Sequence, residues 1–486
     1  MSRSRSSRSS RVRAIVTVLA FAGCGVEQAD TEATSSALEA APNPAGTAET
    51  FHTSGVIDRT NPFFQRLGIN DRTCETCHRA DQGWAITASG TSALFDATGG
   101  VAPIFNPLDE GARPDADVST VDARRATYEK TLLRLALTRF TQNVPATAEF
   151  NVIAVDDPSG FATVTPTLRL TRFRRPTATA NEAKVASTNW TAGPGDVPTG
   201  LANTVNGAAR FHAQRPDTVP LAQQIAARDF QLGIFFAQTV DKKAGRLDAA
   251  GAKGGPVNLA AQPFYIGIND MTGADPTGRP FSRKVFDIFD AWSVFNTGSS
   301  GSGSGSSGSG SSGSGSSGSG SGGGGSDRDR ARAAIYRGQE LFNFHEFPIS
   351  GVHGLNDVFG QATVQGTCST CHNVPNVGGH AVFRMFDIGA ADEEFCSGDV
   401  PMLTIQHKVT GEIRKVCDLG RGGNGVWADV GGFRAPPLRG LAARAPYFQD
   451  GKARDIKEVV EFYHHRFDLG LSGDQRDDLV AFLSAL

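Results

Sequence analysis

Two identical five-residue patterns are the part of this 486-residue chain that most directly indicates chemistry. Residues 74–78 (CETCH) and 368–372 (CSTCH) both have the spacing C-x-x-C-H, which is typical of c-type haem attachment. Two thiols one helical turn apart can add to the two vinyl groups of a porphyrin, and the next residue then lies under the iron. The sequence therefore predicts two covalently bound haems, with these thiols and proximal histidines: Cys74, Cys77, His78, Cys368, Cys371 and His372.

Three other uses of the paired cysteines remain open. A thioredoxin-like redox pair would require a βαβ setting, which the sequence around neither motif predicts. A four-ligand zinc site could join the two pairs, but about 290 residues separate them and each has the same trailing histidine. A local disulfide within each pair would leave the repeated histidine unexplained. Two such motifs in one chain favour haem attachment.

The remaining cysteines have separate predicted uses. Cys396 and Cys417 flank a 20-residue segment, and in an oxidising compartment they would form a disulfide worth roughly 3 kcal/mol. The alternative is two separate buried thiols. Cys24 follows Ala-Gly, which resembles the lipid-attachment site of bacterial lipoproteins.

The first 23 residues predict export. Five arginines without an acidic residue precede a short apolar stretch and small residues, which is the pattern of a signal peptide. We expect a periplasmic or outer-membrane lipoprotein that contacts the membrane only through a lipid on Cys24. The alternative is a secretory signal with an incidental cysteine. Residues 24–50 are rich in Ala, Thr, Glu and Pro, which predicts a flexible spacer.

Composition excludes some classes of protein. The chain is 39% hydrophobic and 20% charged with a formal net charge of −3, which is typical of globular proteins. No apolar run approaches the ~20 residues that span a bilayer, and no basic field exists to bind nucleic acid. A Gly/Ser-only tract, 298–326, divides the body into residues 51–297 and 327–486, each with one C-x-x-C-H motif.

The coarse pattern of elements predicts a mainly α fold: two cytochrome c-type haem domains with long loops and a small β-hairpin insertion in the first. The hairpin is expected over 149–173, with its turn at 156–160. A capping-box pattern at 472–475 predicts the start of the last helix. Helices are predicted at 121–140, 221–238, 281–295, 330–342, 456–467 and 474–486.

Three stretches of the C-terminal half resemble the second domain of the bacterial diheme cytochrome c peroxidase family, which includes the MauG diheme enzymes. They are GQELF (338–342), CSTCHNVPNVGGHAVFRMFDIG (368–389) and FRAPPLRGLAARAPYFQDGKARDIKEVVEFYHHRF (433–467). The N-terminal half matches in its C-x-x-C-H motif and in FRRPTATANEAKVASTNW (173–190). Family members continue from the tryptophan as W-D-G-R, whereas Trp190 is followed by Thr-Ala-Gly.

The resemblance implies an oxidoreductase that reduces hydrogen peroxide at the N-terminal haem. The C-terminal haem would pass electrons to it from an external donor such as a small cytochrome or a cupredoxin. Trp190 would be the electron relay between the haems, and the alternative is an ordinary core indole. The resemblance also allows a bound calcium ion, which no motif in this chain indicates.

The remaining site residues follow from the same alignment. Tyr463 takes the place of the sixth ligand of the second haem, which predicts a lower potential than that of a His/Met cytochrome. His464, His465 and the methionines (Met271, Met385 and Met402) are the other donors. His212 is the candidate distal ligand or proton shuttle of the first haem, and His52 is a weaker one. Arg439 is the candidate partner of a haem propionate.

Two rival functions remain. One is a non-catalytic electron-transfer cytochrome in which both irons have six ligands. The other is oxidation of an organic or protein substrate, as in MauG-like and rubber-cleaving diheme enzymes. The tyrosine at 463 favours this second rival over a plain peroxidase.

Overall fold

The structure is a computed structural model, and it describes residues 39–107, 115–158, 160, 169–191, 196–296 and 326–486. The predicted signal peptide, Cys24 and almost all of the Gly/Ser tract lie outside these residues. The described residues belong to one compact unit. The division into two haem domains at the Gly/Ser tract stays a prediction.

Nine α-helices are present in the described part of the chain. They are α1 (Ala88–Thr98), α2 (Val121–Tyr128), α3 (Val197–Phe211), α4 (Leu221–Gly233), α5 (Pro256–Ala260), α6 (Asp327–Phe344), α7 (Asn356–Phe359), α8 (Ile456–Phe467) and α9 (Gly473–Ser484). None of the described helices is long and apolar enough to cross a membrane.

The described strands form four small antiparallel sheets, with strand orders β1-β2-β6-β7, β11-β10-β4, β3-β5 and β8-β9. The strands are β1 (Glu39–Asn43), β2 (Gly46–His52), β3 (Thr138–Asn143), β4 (Phe150–Asp156), β5 (Arg169–Arg174), β6 (Ile234–Asp241), β7 (Gly245–Arg246), β8 (Phe347–Ser350), β9 (Thr363–Gly366), β10 (Met402–His407) and β11 (Ile413–Val416).

The fold is therefore mixed, with 34% helix and 18% strand, and is not clearly mainly α. The predicted hairpin at 149–173 is also wrong, because its two strands do not pair with each other. Its first strand, β4, pairs with β10 from the C-terminal half, and β5 pairs with β3. These partners are distant in sequence, so the local alternation could not identify them. Residues 161–168 lie outside the described part.

Three predicted helices end early or are shorter than expected. The helix predicted at 121–140 ends in a π-helical turn, Glu129–Leu133, before β3 begins. The helix predicted at 221–238 ends at Gly233, because the apolar residues that follow form β6. In the stretch 281–295, only the residues from 290 onward are helical, as part of the 3₁₀ helix Asp290–Asn296.

The predicted spacer is corrected at its C-terminal end. Residues 39–52 form β1 and β2, and β2 pairs with β6. Ala41 and Ala48 are fully buried there. Small side chains give no strong apolar signal, so composition alone suggested a flexible segment, whereas backbone hydrogen bonds to β6 order it.

The helices of the C-terminal half agree with the predictions. Helix α8 has the predicted bounds, and α9 begins with the capping box between Ser472 and Gln475. Helix α6 crosses α9 at Gly338, where an added Cβ would lie 2.0 Å from the Asp478 carbonyl oxygen. Glycine is required at this close approach, which brings Phe342 and Phe482 into contact in the core beside the second C-x-x-C-H motif.

The predicted disulfide between Cys396 and Cys417 is present, with a separation of 21 residues. Strands β10 and β11 lie within the loop that it closes, and β10 pairs with β4. The disulfide therefore closes a hairpin that connects the two halves of the chain.

Replacing both Cys396 and Cys417 with serine is expected to lower the free energy of unfolding by about 3 kcal/mol, because the unfolded chain gains loop entropy. Urea denaturation of the purified double variant measures this change. A Cys396→Ser/Cys417→Ser protein as stable as the parent would show that the closed loop contributes nothing.

Candidate functional site

The first C-x-x-C-H motif lies on a 3₁₀ helix, Cys74–Thr76, whose start is capped reciprocally by Thr73 and Thr76. Neither Cys74 nor Cys77 forms a disulfide. The Nδ1 atom of His78 lies 3.2 Å from the backbone oxygen of Trp84. Burial lowers the pKa of His78 to about 4, so the imidazole is neutral at physiological pH.

A cavity of about 640 Å³ adjoins this motif. Its wall contains Cys74, Cys77, His78 and His212 together with four arginines (Arg72, Arg139, Arg174 and Arg175) and several threonines. No carboxylate side chain is among the described lining residues. We call it the first cavity.

The second motif repeats the same local structure. The 3₁₀ helix Cys368–Thr370 is capped by Thr367 and Thr370, and both thiols are free. The Nδ1 atom of His372 lies 2.5 Å from the backbone oxygen of Gly378. Burial lowers the pKa of His372 below the usual histidine range.

A second cavity of about 230 Å³ adjoins this motif and is lined mostly by apolar side chains. They come from α6, α8, α9 and the loop that precedes α8, and they include Phe342, Val460 and Leu483. Its polar wall contains Tyr463, Tyr447 and three arginines (Arg175, Arg434 and Arg444). We call it the second cavity.

The geometry argues against the other uses of these cysteines. Neither pair forms a disulfide, and the two pairs lie in separate cavities, so no zinc site joins them in the described structure. Burial raises the pKa of the thiols of Cys74, Cys368 and Cys371 to about 12. Thiols that stay protonated are poor nucleophiles for disulfide exchange.

The same residues fit a haem in both cavities. A histidine that ligates a metal usually donates its other ring N–H to a carbonyl or carboxylate, which fixes the tautomer. The contacts of both Nδ1 atoms with backbone oxygens allow this arrangement. Each cavity thus combines two thiols outside any disulfide, a neutral imidazole and space beside them.

Trp190 lines both cavities. Its Nε1 atom donates to the backbone oxygen of Arg175 at 2.7 Å, and its ring meets Phe433 edge-on with centroids 6.2 Å apart. The backbone oxygen of Trp190 accepts from Arg434 at 3.0 Å. Contacts with both halves of the chain therefore fix the indole between the two C-x-x-C-H motifs.

His212 lies in the wall of the first cavity, whereas His52 does not. His212 caps the C-terminus of α3, and its backbone oxygen accepts hydrogen bonds from Asn70 and Arg72. His212 and His78 thus lie in the wall of the same cavity. His52 instead stacks on Phe230 and contacts its backbone oxygen.

Of the three candidate sixth ligands on α8 (Tyr463, His464 and His465), Tyr463 alone is among the residues that line the second cavity. Burial raises the pKa of Tyr463 above its usual value, with smaller contributions from the thiols of Cys371 and Cys368. His464 lies near Arg476, and His465 is exposed beside Glu461. The methionines are elsewhere: Met271, Met385 and Met402 line neither cavity.

Arg439 is not among the lining residues of either cavity. Its guanidinium donates to the backbone oxygens of Leu486, Asn376 and Gly255. Arg434 and Arg444, which the prediction did not include, line the second cavity instead. Arg434 pairs with buried Glu182 at 3.0 Å. The signal that could have indicated them was their position in the same 433–467 stretch.

Within the described residues, one group of side chains lies close enough together to hold a metal ion. It consists of Cys396, Cys417 and Asp450, and the disulfide occupies two of its three members. The calcium ion that the resemblance allows stays a prediction.

Comparison with known proteins tests the family resemblance. The chain is 30% identical over 129 residues to a cytochrome c551 peroxidase of Pseudomonas aeruginosa. This alignment covers 26% of this chain and 32% of that protein. It is 30% identical over 136 residues to the cytochrome-c peroxidase IdrP2 of Denitromonas iodatirespirans. That alignment covers 26% of this chain and 37% of the relative. The resemblance to the bacterial cytochrome c peroxidases is confirmed.

The similarity to these peroxidases is partial. The cytochrome-c peroxidase IdrP1 of a Pseudomonas species, strain SCT, is 36% identical over 69 residues, or 18% of its length. The matched part of the chain thus spans between 18% and 37% of the length of these relatives. No family model matches the chain. A cytochrome c peroxidase relationship implies haem as the cofactor, in agreement with the two cavities.

Proposed function

We propose that the protein is an exported diheme c-type cytochrome that reduces hydrogen peroxide at the first cavity. Trp190 carries the proposal, because it lines two cavities that each contain one C-x-x-C-H motif. In the overall reaction, one hydrogen peroxide, two protons and two electrons give two molecules of water. The electrons come from an external one-electron donor, such as a small cytochrome or a cupredoxin.

The thiols of the two motifs would hold one porphyrin in each cavity. A bound haem supplies an iron centre that exchanges single electrons. The imidazoles of His78 and His372 would hold the irons from one side, and the contacts of their Nδ1 atoms fix the orientation of the rings. Trp190 would be the electron relay between the cavities.

His212 is the proton shuttle in this proposal. An imidazole nitrogen accepts the proton of one peroxide oxygen and returns it to the oxygen that leaves as water. The hydrogen bonds from Asn70 and Arg72 hold the backbone of His212 in place at the end of α3. The polar wall of the first cavity is suited to peroxide and water, whereas the apolar wall of the second is suited to electron transfer.

A second candidate is the oxidation of an organic or protein substrate. Tyr463 favours it, because a tyrosine rather than a methionine lies in the wall of the second cavity. An oxygen ligand lowers the haem potential relative to methionine. A near-infrared sulfur-to-iron charge-transfer band in the oxidised protein would contradict tyrosine ligation, and product analysis with candidate substrates would distinguish the two activities.

Expression in a host that attaches haem is expected to give a mature protein with two covalent haems. The Cys74→Ser/Cys77→Ser and Cys368→Ser/Cys371→Ser variants should each retain one, because the cavities are separate. Intact-protein mass spectrometry under denaturing conditions counts the attached haems, and peroxide consumption with a reduced donor measures the activity.

The Cys396→Ser/Cys417→Ser variant is the matched control, since it also removes two sulfurs but neither motif. It should keep both haems. A parent protein without added tetrapyrrole would contradict the diheme proposal. A diheme protein that consumes no peroxide would contradict the peroxidase activity.

We also propose that Cys24 carries a lipid after removal of residues 1–23, which would place the protein in the periplasm on a membrane. The support is the sequence pattern alone. Membrane fractions should contain the parent protein and lose the Cys24→Ser variant to the soluble fraction. Equal distribution of both proteins would contradict lipid anchoring.

A further inference from the structure

Asp418, in the C-terminal half, binds two arginines of β5 in the N-terminal half. One oxygen of Asp418 accepts from Arg172 Nη1 at 2.6 Å and from Arg174 Nη2 at 2.8 Å. The other oxygen accepts from Arg174 Nε at 2.5 Å. The backbone N–H of Gly420 adds a hydrogen bond at 2.8 Å. The Arg174 pair is bidentate, which fixes the plane of its guanidinium.

The charges of this group do not cancel. Two guanidinium groups share one carboxylate, and the Asp418 and Arg172 side chains are 2% and 1% exposed. Burial alone would raise the pKa of Asp418, but Arg174 and Arg172 lower it to about 2, so it is ionised. Burial lowers the pKa of Arg172 to about 10, so it also stays charged at pH 7. One positive charge therefore remains.

Arg174 presents this charge to the first cavity, which it lines. Its guanidinium lies over the ring of Phe140 at 4.9 Å and near that of Phe433 at 5.5 Å. Two of its nitrogens are directed to Asp418, and the third, Nη1, lies 3.5 Å from Thr191 Oγ1, which is a weak hydrogen bond. Nη1 is therefore the donor that remains for a stronger acceptor.

We propose that Asp418 positions Arg174 as the donor that binds an anionic group in the first cavity. The proposal deepens the proposed function and rests on it only in assuming a haem in that cavity. Arg174 binds the anion, and Asp418 is a positioning residue that acts through Arg174. A buried cation without a carboxylate among the described lining residues gives an anion a strong, charge-assisted partner.

The anionic group can come from two sources. One is a small free anion beside the haem, such as the hydroperoxide anion. The other is a propionate of the porphyrin itself. Both have the oxygen acceptors that a guanidinium donor prefers, and the test below has one arm for each.

The first arm measures binding of azide to the oxidised diheme protein by optical titration, without turnover. If the anion is free in the cavity, Arg174→Gln should raise the azide dissociation constant about 10- to 100-fold, as expected for loss of a hydrogen bond to a charged group. Arg174→Lys keeps the charge and should recover part of the affinity.

The second arm measures the reduction potential of the first haem by spectroelectrochemistry. If Arg174 binds a propionate, azide affinity stays unchanged in Arg174→Gln and the potential falls, because a cation near the iron is lost. If neither azide affinity nor the potential changes, the proposal is overturned. Neither readout depends on peroxide turnover, so failure of the proposed peroxidase activity is a distinguishable result.

The role of Asp418 needs a variant that keeps the charge balance. Asp418→Asn alone leaves two buried guanidinium groups without a carboxylate, and such a protein can fail to fold. The double variant Asp418→Asn/Arg172→Met retains one positive charge, at Arg174. It should show a change in the same direction as Arg174→Gln in the arm that responds, because a guanidinium that Asp418 no longer holds lies farther from the anion. Asp418→Glu, which keeps the carboxylate, should show a smaller change. A response of Arg174→Gln alone would overturn the positioning role of Asp418.

Arg421→Gln is the matched control. Arg421 also contacts Thr191, through the backbone oxygen at 3.3 Å, and also lies near an aromatic ring, that of Phe383. It is not among the residues that line the first cavity. Azide affinity and the potential of the first haem should be unchanged in this variant, and an effect as large as that of Arg174→Gln would overturn the assignment to Arg174.

Discussion

Replacing His212 with alanine is expected to lower kcat/KM for hydrogen peroxide by about 10²- to 10⁴-fold, the usual contribution of a positioned general acid–base. His212 is the histidine in the wall of the first cavity besides His78 of the motif. Peroxide would have to lose and regain its proton through solvent in the variant. Steady-state kinetics with a saturating reduced donor measures the change.

His52→Ala is the control for this prediction. His52 lies in the same half of the chain, but it contacts Ser54 and the backbone oxygen of Phe230 rather than the first cavity. It should retain the parent rate. A rate that rises in His212→Ala, together with a change of the first haem to a high-spin spectrum, would show that His212 ligates the iron and blocks peroxide.

The Trp190→Phe substitution is expected to slow electron transfer between the two haems at least ~10-fold, which corresponds to about 1.4 kcal/mol of activation free energy. Phenylalanine fills much of the same space but is much harder to oxidise, and it cannot donate to the backbone oxygen of Arg175 as the indole does. Stopped-flow mixing of peroxide with protein whose second haem is reduced measures the oxidation of that haem.

Trp427→Phe is the control for Trp190. Trp427 also packs against a phenylalanine, with its ring centroid 6.1 Å from that of Phe150 and the rings tilted by 54°, but it lines neither cavity. Its substitution should leave the oxidation rate unchanged. Equal rates in Trp190→Phe and the parent would contradict the relay.

Local sequence signals predicted much of the C-terminal half. The capping box at Ser472 acts within a few residues, so it identifies the start of α9 without knowledge of tertiary contacts. The spacing of the C-x-x-C-H motifs is equally local, and both motifs adopt the same capped 3₁₀ turn beside a cavity.

The strands were harder to predict, because their partners are distant in sequence. Apolar residues that follow α4 resemble a further helical turn, but pairing with β2 makes them a strand. The first strand of the expected hairpin pairs with β10, about 250 residues away. A sequence pattern records which face of a strand is apolar, and not which strand lies next to it.

The same limit applies to the site. Cys74, His78 and their counterparts could be identified because each motif is contiguous. Arg174 and Asp418 are separated by 244 residues, and neither belongs to a motif that indicates a pair. Arg439 was the predicted propionate partner, whereas Arg434 and Arg444 line the second cavity, because one sequence does not show which arginines of a loop point into a cavity.

The pairing of β4 with β10 has a consequence for a protein cut by proteases. A single cleavage within 298–326 would separate the chain into two fragments, but six residue pairs from Asp156–Met402 to Phe150–His407 would still join them edge to edge. The buried Glu182–Arg434 pair joins the fragments a second time. The cut protein should elute from a sizing column as one particle and should separate only in denaturant.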